Sequence, residues 1–247
     1  MSRRPSLEDT VPADREGVHR NVEEVRSRIV AAAARAGRSP GDVSLIAVTK
    51  TVGYEQVRWA IEAGIGSLGE NYVQELRAKR REIPDVTWHF IGTLQSSTAH
   101  HVADHADVVQ TVAGEHAARR LAGRAARSGR MLDALIEVDL MEGRTGVRPS
   151  DLPSFADLIA SLDGIRLIGL MTMPPVPALP EDSRPFFARL QHLREEAQER
   201  HPDVLESSMG MSLDYEVAVE EGATMVRIGT ALFGTRATRP KNRKEPG

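Results

Sequence analysis

The chain has 247 residues, 40% of them hydrophobic and only 4% aromatic, enough to bury one large core. Its formal net charge of −3 gives no global basic field to attract nucleic acid or membrane surfaces, so small molecules are the expected partners. The absence of cysteine excludes disulfides, thiol nucleophiles and thiolate metal sites together.

Residues 1–13 are polar and charged and read as a disordered arm, with none of the apolar core of a secretory signal. The longest small-apolar run, Ile29 to Ala34, is far short of the ~20 residues that cross a bilayer, and a soluble cytoplasmic protein is expected. A helix follows the arm, with Val18, Val22, Val25, Ile29 and Ala33 at three- and four-residue steps and Gly37 as its stop signal.

From Val43 the chain alternates, eight times, a short apolar run with an amphipathic helix. The runs begin near Val43, Ser67, Thr87, Asp107, Leu132, Arg166, Val204 and Met225. Helical patterns lie between them, around Tyr54 to Ala63, Tyr72 to Arg81, Ser97 to Ala103, Glu115 to Ser128, Leu152 to Leu162, Arg184 to Arg200 and Leu213 to Glu221. Spacings of about 20 residues leave room for one helix and two short loops, which predicts parallel strands joined by right-handed crossovers. Eight such units close into a (β/α)8 TIM barrel spanning 14–236, with an extra N-terminal helix. An open doubly wound sheet is the competing architecture, but no glycine-rich phosphate turn follows Val48. Met173 to Pro180 carries four prolines, and is expected to form a stiff wall or lid at the barrel mouth. Residues 237–247 read as a basic flexible tail.

In such a barrel the residues at the C-terminal strand ends line one mouth. The apolar run Leu45 to Val48 leads through Thr49 to Lys50, which either snorkels into solvent or meets a ligand. Asn71 follows the second run, His89 lies in the third, and Thr111 ends the fourth. Met171 and Thr172 end the sixth, Ser207, Ser208 and Ser212 belong to the seventh, and Arg227 with Gly229 and Thr230 to the eighth. Small hydroxyls and glycines after the last two strands are ordinary turn chemistry taken alone, yet this is also where barrels hold phosphate. A phosphate on one side and a reactive amine on the other suit pyridoxal 5′-phosphate (PLP), with Lys50 forming a Schiff base. Desolvation and the nearby Arg227 would both favour the uncharged, nucleophilic amine.

These residues carry a resemblance. The segments Ala47 to Lys50, Gly69 to Glu75, Trp88 to Gly92, Gly169 to Met171, Ser208 to Asp214 and Thr224 to Thr230 are similar to those of the pyridoxal phosphate homeostasis proteins, related to the N-terminal barrel of alanine racemase. The resemblance runs from about Val22 to Gly234. It implies that Lys50 carries the cofactor and Asn71 lies beside it. Ser212 and the Gly229 and Thr230 backbone would hold the phosphate, with Ser208 and Met171 close by, and Arg227 would face the pyridine nitrogen. A guanidinium there can only donate a hydrogen bond and leaves the ring a weak electron sink. The chain departs from the family pattern at Ser97 and Thr98, where relatives carry Asn-Lys, and at Arg144 and Thr145, where they carry Lys-Ser. Transfer routes through those lysines are therefore not expected here.

Three functions compete: a non-catalytic holder of PLP that passes it to apo-enzymes, an amino-acid racemase, and a module sensing vitamin B6 status. Racemisation needs an acid or base on each face of the α-carbon, and in alanine racemase a tyrosine from a second domain serves one face. The chain ends soon after Thr230, so only Tyr54, Tyr72 or Tyr215 could substitute. A monomer is expected. His101 and His105 lie an i,i+4 step apart, but without a carboxylate cluster to complete a metal shell. Glu137 and Asp139 are either an acid/base pair or partners of an arginine such as Arg144.

Overall fold

The computed structural model describes residues 13–141 and 143–234; the expected arm up to residue 12 and the expected tail from residue 237 lie outside them. Eight parallel strands form a closed barrel in simple sequence order: β1 (Ser44–Val48), β2 (Ser67–Glu70), β3 (Thr87–Phe90), β4 (Val108–Val112), β5 (Leu132–Glu137), β6 (Ile165–Met171), β7 (Glu206–Ser208) and β8 (Met225–Ile228). Closure comes from β1 pairing with β8 in the register Ser44↔Met225 to Ala47↔Ile228, which rules out the open sheet.

The helices are α1 (Arg15–Arg35), α2 (Tyr54–Glu62), α3 (Val73–Glu82), α4 (Ala99–His105), α5 (Glu115–Arg127), α6 (Leu152–Ala160), α7 (Arg184–Arg200), α8 (Tyr215–Glu220) and the single turn α9 (Thr230–Phe233). Asp14 caps α1 by accepting the Gly17 amide at 2.8 Å. The helix closes in a Schellman arrangement, with Gly37 at φ +66°, its N–H on Ala34 O and the Arg38 N–H on Ala33 O. Its stripe Val18, Val22, Val25, Ile29, Ala32 and Ala33 is buried. Residue 13 already belongs to the folded body, since the Ala13 amide donates to Phe233 O.

Side-chain alternation divides the barrel into two cores. Ala47, Leu68, Trp88, Val109, Ala134, Leu170 and Val226 point outward under the helices. Ile46, Val108, Leu135, Met171 and Met225 form a separate cluster inside the barrel. Strand seven departs from its expected start at Val204. That residue is buried in a turn in which its N–H bonds His201 O, and the strand itself is the polar Glu206–Ser208, which has no apolar signature to read. The segment after β6 runs without regular structure from Thr172 to Leu179 and enters α7 through a 3-10 turn at Pro180–Ser183. Among the described residues no helix is long and apolar enough to cross a membrane.

Candidate cofactor site at the barrel mouth

The parity that puts Ile46 inside the barrel puts Val48 on the same side, and Lys50 stands two residues on, just past the end of the strand at the barrel mouth. Two residues past Met225 stands Arg227, two past Val108 stands Gln110, and two past Leu135 stands Glu137. These polar side chains form the floor of the mouth, and Met171 is packed just beneath them with the interior apolar cluster.

The floor is wired by one directed chain of hydrogen bonds. Arg227 Nη1 donates to Ser208 Oγ at 2.7 Å, Ser208 donates to Gln110 Oε1 at 2.7 Å, and Gln110 Nε2 meets His89 Nδ1 at 3.0 Å. With the Gln110 carboxamide so oriented, its Oε1 can only accept and its Nε2 can only donate, so Ser208 donates to it and His89 Nδ1 accepts from it. Burial drives the His89 pKa from 6.5 down to about 4, so the ring is neutral at physiological pH, as an acceptor has to be. Arg227 Nη2 donates to Thr172 O at 2.9 Å. Its pKa falls to about 10 because of burial, with Asp214 and Glu137 opposing, and the guanidinium stays charged at neutral pH. Glu137 is pushed the other way, from 4.5 to about 7, by burial first and by Asp139, against the attraction of Arg227.

The loops above the floor meet across β7 and β8. The Ala231 amide donates to Ser212 Oγ at 3.2 Å, bringing Ser212 against the Gly229 to Ala231 turn. Gly210 lets the same loop pack closely on α8: its φ is +88°, and a Cβ would lie 2.5 Å from Ala218 Cβ. Buried Asp214 ties the loop down by accepting the Met211 amide and the Ser183 hydroxyl, each at 2.7 Å. On the opposite side Gly92 packs on the backbone of Asn71 so closely that a Cβ would sit 1.9 Å from Asn71 O. Asn71 Oδ1 is buried without a protein partner. An amine on a strand end, an orphaned amide atom, and hydroxyl and glycine loops around the same mouth fit a ligand bearing both a carbonyl and an anionic group.

Other expected residues prove to be braces. Thr111 Oγ1 donates to Gly92 O at 2.5 Å, and Ser207 Oγ turns outward to Gln191 Oε1 at 2.9 Å. Asp139 is no free acid: it accepts the amides of Met141, Gly143 and Arg144, and these bonds, Met141 first, hold its pKa below the usual carboxylate range. Arg144 Nη1 reaches Met173 O at 3.2 Å and so ties the loop after β5 to the proline-rich wall. Those two loops enclose a cleft of about 360 Å³ lined by Glu137, Asp139, Arg144, Thr172 and Met173. Among the described residues no group of three His, Asp or Glu is placed to share a metal ion.

Sequence reading missed Gln110 and Lys79. Gln110 had a signal, being the one amide inside an otherwise apolar and hydroxyl run, Val108 to Val112. Lys79 had none, since it reads as one more cation on the basic face of α3.

The family model that matches is the alanine racemase N-terminal domain, over residues 20–237. The pyridoxal phosphate homeostasis protein of Aquifex aeolicus is 39% identical over 86% of this chain and 95% of its own length. The chain belongs to the pyridoxal phosphate homeostasis protein family. Its counterpart in Pseudomonas aeruginosa is 40% identical over 87% of this chain and 94% of its own. Among solved structures, PipY of Synechococcus elongatus with PLP bound superposes with a TM-score of 0.75 at 36% identity, covering 83% of this chain and 100% of PipY.

Proposed function

We propose that this protein binds PLP at the barrel mouth through a Schiff base to Lys50 and holds it for delivery to apo-enzymes, without catalysing amino-acid chemistry. The observation that carries this reading is that the strand end bearing Lys50 adjoins the joined Ser212 and Gly229 to Ala231 loops, through the pairing of β1 with β8, over a floor that ends in a charged, buried arginine. The relative PipY, whose structure contains PLP, supports the choice of ligand.

Bound in the mouth, the cofactor would supply an aldehyde for an amine and a phosphate for the loops after β7 and β8. Lys50 provides the amine. Ser212 Oγ and the backbone of Gly229 and Thr230 would hold the phosphate, and the Asn71 amide would lie beside the ring. Arg227 would offer a remaining N–H to the ring nitrogen, the plane of its guanidinium being fixed by its bonds to Ser208 and the Thr172 carbonyl. A permanent cation at that position leaves the ring nitrogen unprotonated, which disfavours carbanion chemistry and favours storage.

A racemase is the second reading, and Glu137 is what favours it. A carboxyl with a pKa of about 7 at the mouth could both take and return a proton. One experiment separates the two. Purified protein carrying the visible Schiff-base band, which Lys50→Ala should abolish, is incubated with L-alanine and other amino acids in heavy water, and the α-proton is followed by NMR. Retention of the proton in every amino acid supports the holder, whereas catalytic exchange of any one of them establishes an enzyme.

A further inference from the structure

The turn that presents Lys50 is strained, and a buried charge cluster outside the barrel clamps it. Val52 N–H bonds Thr49 O at 2.9 Å, closing a four-residue turn with Lys50 and Thr51 at its corners. Thr51 has φ +61°, the sole positive φ of a non-glycine among the described residues. A positive φ at the third turn position is the pattern of a type II turn, where glycine is usual, and a β-branched residue is disfavoured there. Such a conformation persists only where its surroundings over-determine it.

Three side chains supply that determination. Glu70 follows Leu68 on the outer side of β2 and is fully buried beneath α3. Lys79, on α3, is also buried, and its ammonium donates to Thr49 O at 2.6 Å, Glu70 Oε1 at 2.6 Å and Glu75 Oε2 at 3.1 Å. An ammonium has three protons, and these three bonds use them all. Glu70 Oε1 also accepts the Thr49 hydroxyl at 2.7 Å, and Glu75 Oε2 also accepts the Thr51 amide at 2.8 Å. The residues on either side of Lys50 are therefore held by one cluster, Thr49 by its hydroxyl and carbonyl and Thr51 by its amide. An isolated ammonium would not be carried into the layer between strand and helix unless it were paired, so the cluster forms as a unit or not at all.

We infer that Lys79, with Glu70 and Glu75, is a positioning device for the cofactor lysine: it fixes the strained turn so that the Lys50 amine meets its ligand in one orientation. This rests on the reading that Lys50 carries the cofactor, and the test keeps the two apart. Full-length Lys50→Ala, Lys79→Met, Glu75→Ala and the double variant Lys79→Met/Thr51→Gly are loaded with PLP. The decay of the visible band on dilution and the pH midpoint of that band are then compared with the melting temperature of each apo-protein. Lys79→Met and Glu75→Ala are expected to lose cofactor about tenfold faster than wild type, the effect of losing the one charge-assisted hydrogen bond that each makes to the turn itself, and to shift the pH midpoint. Thr51→Gly should restore slow loss to Lys79→Met, because glycine adopts the left-handed corner without a clamp. Glu75 sits at the rim, so its variant decides the matter if Lys79→Met does not fold. Wild-type loss rates and band titration in folded Glu75→Ala and Lys79→Met would overturn the inference. So would loss rates that follow melting temperature alone with no rescue by Thr51→Gly. A visible band surviving in Lys50→Ala would instead overturn the reading beneath it.

Discussion

Replacing Glu137 by glutamine should change the pH dependence of stability in one defined direction. In the native protein this carboxyl has a pKa of about 7 against an ordinary 4.5. Between those values the native group holds a proton that the unfolded chain has released, so each pH unit removes about 1.4 kcal/mol of stability. The contribution is complete below pH 4.5 and is lost as the pH rises through 7, a total of about 3 kcal/mol. His89 works in the opposite sense. Its pKa falls from 6.5 to about 4, so its contribution is present above pH 6.5 and is lost as the pH falls through 4. The two slopes largely cancel in the wild type over the range they share, which makes the raw profile uninformative. The difference between wild type and Glu137→Gln isolates the carboxyl, because glutamine keeps the shape of the protonated acid. Urea unfolding of both apo-proteins from pH 4.5 to pH 8.5 should give a near-zero difference at the acid end and about 3 kcal/mol in favour of the variant at the alkaline end. A difference independent of pH would refute the argument, showing that Glu137 is ionised in the native mouth throughout.

Three further outcomes follow from the geometry. Ser208→Ala leaves Arg227 Nη1 without its acceptor and Gln110 Oε1 without its donor, both buried, and should cost about 1–3 kcal/mol in chemical denaturation while weakening PLP retention in equilibrium dialysis. Gly92→Ala places a methyl group 1.9 Å from Asn71 O, so the Asn71 backbone must move; a loss of about 1–3 kcal/mol in melting experiments and a faster decay of the cofactor band are expected. Trp88→Ala empties a fully buried site between barrel and helices and deprives Ile83 O of the indole N–H at 2.9 Å, which should lower stability by about 3–5 kcal/mol without altering the pH at which the cofactor band titrates.

What was legible in the sequence was what is encoded locally. The eightfold alternation of strand and helix could be read because each element repeats its own burial period, and seven of the eight strands lie where an apolar run announces them. The exception, β7, is a stretch of glutamate and serines whose partners on β6, β8 and α7 make it a strand. Lys50, Asn71, Arg227 and the loops carrying Ser212 and Gly229 could be placed at one mouth from strand parity and topology alone, since in a parallel barrel every strand ends on the same face. Their neighbours could not. Ser208 and Gln110 are 98 residues apart in the chain, and Lys79 and Thr49 are 30 apart, yet each pair shares a buried hydrogen bond. A basic helix face does not reveal which of its cations turns inward, nor a hydroxyl-rich strand end which serine faces the barrel and which the helices. The protonation of Glu137 and His89 belongs to the same class. Their charge states depend on how much water the surrounding elements exclude and on which charges those elements bring near, quantities that come into being only when the barrel closes.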